Sequence, residues 1–183
     1  AGYIAATRLT GLLELAGSSL GSAVGTFAGQ NLGARRLDRV RLGLRRSAQI
    51  GVIMAFTVGA LVSLFARPLL LLFVNDEPEL VEQVLRVGCR YLYVASAGLF
   101  TLNLLFVYRS TLQGLGDTMI PMISGFVELM MRIGCALLLP RVIGEWGVYW
   151  AEVSAWVGAA ALLIRGYYYR MRILSAQYER QPS

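Results

Sequence analysis

The chain has 183 residues, of which 56% are hydrophobic and only 15% charged, with a formal net charge of +6 and no histidine. So apolar a composition excludes an ordinary soluble domain and points to a lipid bilayer. Nucleic acid is excluded as a partner because the arginines border apolar runs and no soluble basic domain carries them, and without histidine the usual imidazole ligand and general base of a hydrolytic or metal-dependent enzyme are missing.

A helix crossing a roughly 30 Å hydrocarbon core needs about 20 mostly apolar residues. Five stretches qualify, at roughly 9–32, 47–66, 88–112, 119–139 and 146–169. The expected fold class is therefore all-α, a polytopic transmembrane helix bundle of about five spans over residues 1–174, with a polar cytoplasmic tail at 175–183. The loops are short, and Pro68, Pro78, Pro121 and Pro140 fall at or near span ends, where proline is tolerated. The chain opens on Ala1-Gly2-Tyr3 with no basic region before a short apolar core, so no cleavable signal is expected and the sequence reads as a piece of a longer protein.

In the first span Gly17, Gly21, Gly25 and Gly29 recur every fourth position, beside Ser18, Ser22 and Thr26. In lipid such a stripe lets another helix approach closely, and it also suits helices that slide or rock. Six arginines then crowd residues 35–46, and a short loop so rich in arginine stays cytoplasmic. Alternation places Asn75-Asp76-Glu77-Pro78-Glu79 outside, the Gln113–Asp117 turn inside, Pro140–Glu145 outside and Arg170-Met171-Arg172 inside. Cys89 and Cys135 match no metal spacing and read as buried free thiols. Tyr91, Tyr93, Trp146, Tyr149, Trp150 and Tyr167–Tyr169 are expected at the membrane interfaces. Phe100, Phe106, Phe126, Trp156, Met122, Met130 and Met131 read as packing residues that could also line a cavity for flat lipophilic cations.

Ionisable residues inside spans cost roughly 2.5 to 3.5 kcal/mol at mid-helix and need a partner or a purpose. Glu14, Glu128, Arg132 and Glu152 are the four that stand out. Glu128 and Arg132 share a helix face one turn apart. Glu152, roughly 9 Å into the next helix from its outer end, reaches about the level of Arg132. An acid-base-acid cluster follows, with Glu14 approaching from the first span. Such a cluster either glues helices together or carries a proton or cation, because burial shifts the balance between the charged and neutral forms of a carboxyl group. Arg90, Arg109 and Arg165 lie near span ends and are expected to snorkel.

Three segments, "AVGTFAGQNLGARRLDRVRLG", "YRSTLQGLGDTMIPMISGFVELMMR" and "EWGVYWAEVSAW", together resemble the C-terminal half of the multidrug and toxic compound extrusion (MATE) family. The resemblance implies twelve helices in two six-helix lobes, exporting drugs or organic cations in exchange for protons or sodium by alternating access. This chain would hold helices eight to twelve, with helix seven and the N-terminal lobe missing. Gly29, Gln30, Gly33 and Ala34 would end helix eight, Arg39 and Arg46 would anchor the start of helix nine on either side of Leu42 and Leu44, and Gly114, Gly116 and Asp117 would form the second family turn, with Asp117 or Thr118 capping helix eleven. Sodium-coupled relatives carry an acid on helix ten, where this chain has Phe100-Thr101-Leu102-Asn103-Leu104, so Asn103 is left as a neutral candidate. No cofactor is implied beyond the coupling ion, proton or sodium, and no catalytic or metal residues. The expected setting is a prokaryotic inner membrane. A lipid-linked oligosaccharide flippase of the same superfamily, or a non-transporting membrane scaffold or gene remnant, is the alternative.

Overall fold

The computed structural model describes residues 2–72 and 78–179, and every element in it is a helix. They are α1 (Gly2–Gly33), α2 (Leu37–Leu64), the short α3 (Ala66–Leu71), α4 (Pro78–Gly114), α5 (Met119–Ile143) and α6 (Trp146–Glu179). Four helices are long and apolar enough to cross a membrane: α2, α4 from Val81, α5 and α6. The fifth expected span, α1, has 32 residues. It is not among those four; glycines, serines and threonines interrupt its apolar run, and small residues of this kind suit the close seam it forms.

The helices outrun the expected spans. The arginine-rich stretch 35–46 is not a loop: α2 begins at Leu37, and Leu37, Val40 and Leu44 are buried while the arginines point out. Arginine and leucine are good helix formers, and the apolar residues recur on one face, so the charge decorates a helix and does not break it. Between Arg39 and Arg46, Leu44 is buried while Leu42 is 57% exposed, so the two leucines lie on different faces of α2. Pro140 lies inside the last turn of α5, three residues before its end at Ile143. At the other terminus α6 runs through Glu179, taking in residues 175–179 of the segment read from sequence as a polar tail. The acidic stretch Asn75–Glu77 lies outside the described residues, as do the side chains of Pro78 and Glu79.

Helix α4 is the pillar, packed by α1, α2 and α6, while α5 packs mainly on α6. The glycine stripe is the seam between α1 and α4. A Cβ on Gly21 would lie 2.9 Å from Ser110 Oγ, one on Gly25 2.8 Å from the Ser110 carbonyl oxygen, and one on Gly29 3.2 Å from the Gly114 oxygen. Only glycine allows backbones this close. One face of α5, with Met122, Phe126, Leu137 and Val142, is exposed.

The two motif turns close alike. The Arg36 amide donates to the Asn31 carbonyl at 2.8 Å and the Asp117 amide to the Leu112 carbonyl at 2.9 Å, a six-to-one bond with a left-handed residue just before it. That residue is Gly116 (φ 75) in one turn and Arg35 (φ 56) in the other. Asp117 Oδ1 then accepts the Ile120 amide at 3.1 Å, whereas Thr118 gives α5 no side-chain cap.

Candidate functional site

A cavity of about 320 Å³ opens between α1, α4, α5 and α6. It collects the ionisable residues that the sequence places inside spans. Glu14 and Thr10 enter from α1, Tyr91 and Arg109 from α4, Glu128 and Arg132 from α5, and Glu152 from α6 beside the fully buried Trp156.

Glu128 is the hub. Its two oxygens face two guanidinium groups, Arg109 at 2.8 Å from α4 and Arg132 at 3.1 Å one turn along its own helix. Arg132 also reaches Glu152 at 4.0 Å, and the hydroxyl of Tyr91 donates to Glu152 at 2.5 Å. Arg109 further approaches Ser124 Oγ at 3.4 Å, while its Nε is buried without a partner. Glu14 makes no hydrogen bond or ion pair among the described residues, yet it lies within the electrostatic reach of Glu152, Arg132 and Glu128. Three carboxylates therefore face two guanidinium groups. With every group ionised, the described residues of the cavity carry one negative charge in excess, and Glu14 is the acid without an ion pair among them.

Glu14, Glu128, Arg132 and Glu152 are thus brought together. Asn103 is not: it sits in the seam of α1, α2 and α4, where its Nδ2 donates to the Leu99 carbonyl at 3.0 Å and its buried Oδ1 has no partner. Two residues of the site were read differently from sequence. Arg109 does not snorkel, because α5 folds back and presents Glu128 nineteen residues later. Tyr91 is only 2% exposed and belongs to the site, not to an aromatic belt. No local signal marks either residue, since each finds its partner on another helix. Arg90 does lie near the opposite end, 3.5 Å from Glu145 and over the Trp146 ring. Of the residues expected to line a cavity, Phe106 and Trp156 line this site, whereas Phe126 and Met122 are exposed and Phe100 stacks on Phe56 elsewhere.

The motif-turn residues gather at one end of the bundle, away from the cavity. Arg170 on α6 lies 3.9 Å from Asp117, Tyr178 donates to the Leu32 carbonyl at 3.1 Å, and Arg41 donates to Ser175 Oγ at 2.7 Å. These contacts tie α6 to both turns and give Gly29, Gln30, Gly33, Ala34, Gly114 and Gly116 a structural setting at the seam's end.

Comparison with known proteins follows the same lines. The family model described as MatE matches residues 1–138. The probable multidrug resistance protein YoeA of Bacillus subtilis (strain 168) is 24% identical over 174 residues, which cover 92% of this chain and 36% of that protein. The probable multidrug resistance protein NorM of Thermotoga maritima is 26% identical over 163 residues, 87% of this chain and 32% of that one. A solved inward-facing structure of a multidrug resistance MATE family transporter of the MOP superfamily shares the fold, with a TM-score of 0.76 over 90% of this chain and 38% of that one at 17% identity. The chain spans about a third of the length of the curated relatives it matches.

Proposed function

This chain belongs to the MatE family, and on that premise we propose that it forms part of a secondary active exporter of drugs or organic cations. Transport runs by exchange for a proton or sodium ion through alternating access. The relatives named as multidrug resistance proteins support the substrate class. The chain contributes part of the C-terminal lobe, in a prokaryotic inner membrane. Because transporters of this kind place their site between two repeats, the 183 residues by themselves do not transport.

The observation that carries the reading is the charge imbalance of the cavity between α1, α4, α5 and α6. A balanced cluster would hold helices together and nothing more. Here Arg109 and Arg132 are spent on Glu128 and Glu152, and Glu14 is left with a carboxylate that a small cation can neutralise. The same acid excess disfavours a lipid-linked oligosaccharide as cargo, since its phosphates would call for the opposite sign.

The test uses the whole transporter in proteoliposomes. Glu14→Gln keeps the shape and removes the charge, so it should abolish export of a fluorescent organic cation driven by a pH or sodium gradient while leaving expression and thermal stability intact. Export at the unaltered rate would overturn the assignment.

A further inference from the structure

A second and larger cavity lies on the opposite side of α4, a groove of about 960 Å³ between α2 and α6. It shares no residue with the charged site. Its α2 wall is graded. Arg41 and Arg45 stand at the end of the bundle that carries the motif turns, Gln49 follows one turn deeper, and Val52 and Ile53 line the far part. Leu104 and Tyr108 of α4 form the floor, and Tyr168 and Met171 of α6 the other wall.

From Arg41 to Ile53 the groove runs about 18 Å at 1.5 Å per residue. That is close to one leaflet's hydrocarbon depth, roughly 15 Å for half of a 30 Å core. Two cations at the membrane-surface end and the apolar residues Val52, Ile53 and Leu104 in the deeper part match a molecule with an anionic head and a hydrocarbon tail. Arg41 is exposed and spends one Nη2–H on Ser175 Oγ, which leaves its other donors free to aim at the mouth. Arg45 is exposed and has no carboxylate partner among the described residues. Acids are absent from the groove's lining, so nothing there competes with a phosphate.

We propose that this groove is a binding site for an anionic glycerophospholipid, its phosphate held by Arg41 and Arg45 and an acyl chain laid along Leu44, Val52, Ile53 and Leu104. The site depends on no assumption about transport. A guanidinium pair binds phosphate bidentately, and basic pockets between helices at the membrane surface select anionic headgroups. Tyr168, 58% exposed at the rim, is of the residue type favoured at headgroup depth.

Native mass spectrometry of the full protein carrying this chain, released from micelles doped with phosphatidylglycerol or with phosphatidylcholine of the same acyl chains, tests the proposal. One phosphatidylglycerol should be retained with a preference of roughly tenfold over phosphatidylcholine. The double variant Arg41→Gln with Arg45→Gln should fall to the phosphatidylcholine level, and Arg172→Gln, outside the groove, should keep the preference. Val52→Trp, which fills the tail channel and leaves both arginines, should also lose the lipid, so the acyl contact is tested even if the double variant fails to fold. Equal retention of the two lipids, a preference that survives the double variant, or unaltered retention by Val52→Trp would each overturn the proposal. Displacement of the lipid by equimolar glycerol 3-phosphate would overturn it too, by showing a site for a free anion instead.

Discussion

Glu128 accepts from two guanidinium groups on two helices, and this makes it the most consequential side chain for folding. Removing one partner of a buried ion pair strands the other, at a cost of about 3 to 5 kcal/mol. Glu128→Gln is therefore expected to lower thermal stability, by about 3 kcal/mol, because it strands Arg109, whereas Arg132 keeps Glu152 at 4.0 Å. Pairing it with Arg132→Gln should recover little, since Arg132 is 46% exposed and can reach water, whereas Arg109 at 24% cannot so easily. Pairing it with Arg109→Gln should recover most of the loss. Thermal unfolding of the three variants in one detergent checks the order, and full rescue by Arg132→Gln alone would show that the α4 pair is not the stronger one. Glu14 makes no ion pair among the described residues, so its neutral variant strands none of them and separates function from folding. The acids of this site were legible in the sequence because charge inside an apolar run is conspicuous. Arg109 was not, because its position close to a span end gives the same pattern as a snorkelling arginine, and only the return of α5 distinguishes the two.

At the scale of elements, the seam between α1 and α4 fixes how near the helices come. A Cβ on Gly114 would run into the backbone of Gly25, while one on Gly11, in the same α1, would meet nothing within 4 Å. Gly114→Ala should therefore push the two helices apart and cost about 1 to 3 kcal/mol, whereas Gly11→Ala should be neutral or mildly stabilising, through the better helix propensity of alanine. Denaturant melts of both variants decide it; equal stability would mean that the glycines are not set by contact. The fourfold stripe announces a close approach, but a period on one helix cannot name the helix that answers it. The turn after α4 adds a second case: Asp117 accepts the Ile120 amide and lies near Arg170, so Asp117→Ala should cost about 1 kcal/mol as a lost cap, and an unaltered melting curve would contradict that role. Element ends were the least legible feature. Charge made 35–46 look like a loop, yet Leu37, Val40 and Leu44 already carry the helical spacing that buries them.

Across the whole molecule, the two ends of the bundle carry different contacts. One end gathers the motif turns and the last turns of α6, through Arg170 with Asp117 and Tyr178 with Leu32. The other holds Arg67 with Glu82 at 2.9 Å and Arg90 with Glu145 at 3.5 Å. Alternation of spans requires this grouping, and the arginine count predicts that the first end is the cytoplasmic one. Single cysteines at Arg46 and Arg172, in a background lacking Cys89 and Cys135, should react with a membrane-impermeant maleimide only after permeabilisation, while one at Glu145 should label in intact cells. The reverse pattern would invert the orientation. The class of fold was legible because apolar length is a strong signal. The packing order around α4, and with it the two separate cavities, was not, since it depends on which faces meet.

The proposed function places a single exchangeable cation at Glu14, in the cavity between α1, α4, α5 and α6, and links it to the binding of a substrate cation. Linkage makes this measurable without transport: a substrate that competes for the same negative charge must release what it displaces. With the solubilised whole transporter, binding of a lipophilic organic cation should release about one proton, read by a pH indicator in weak buffer, or about one sodium ion, read by radiotracer. In Glu14→Gln the same substrate should bind with no release of either. Release that persists unaltered in Glu14→Gln would place the exchangeable cation elsewhere and contradict the account.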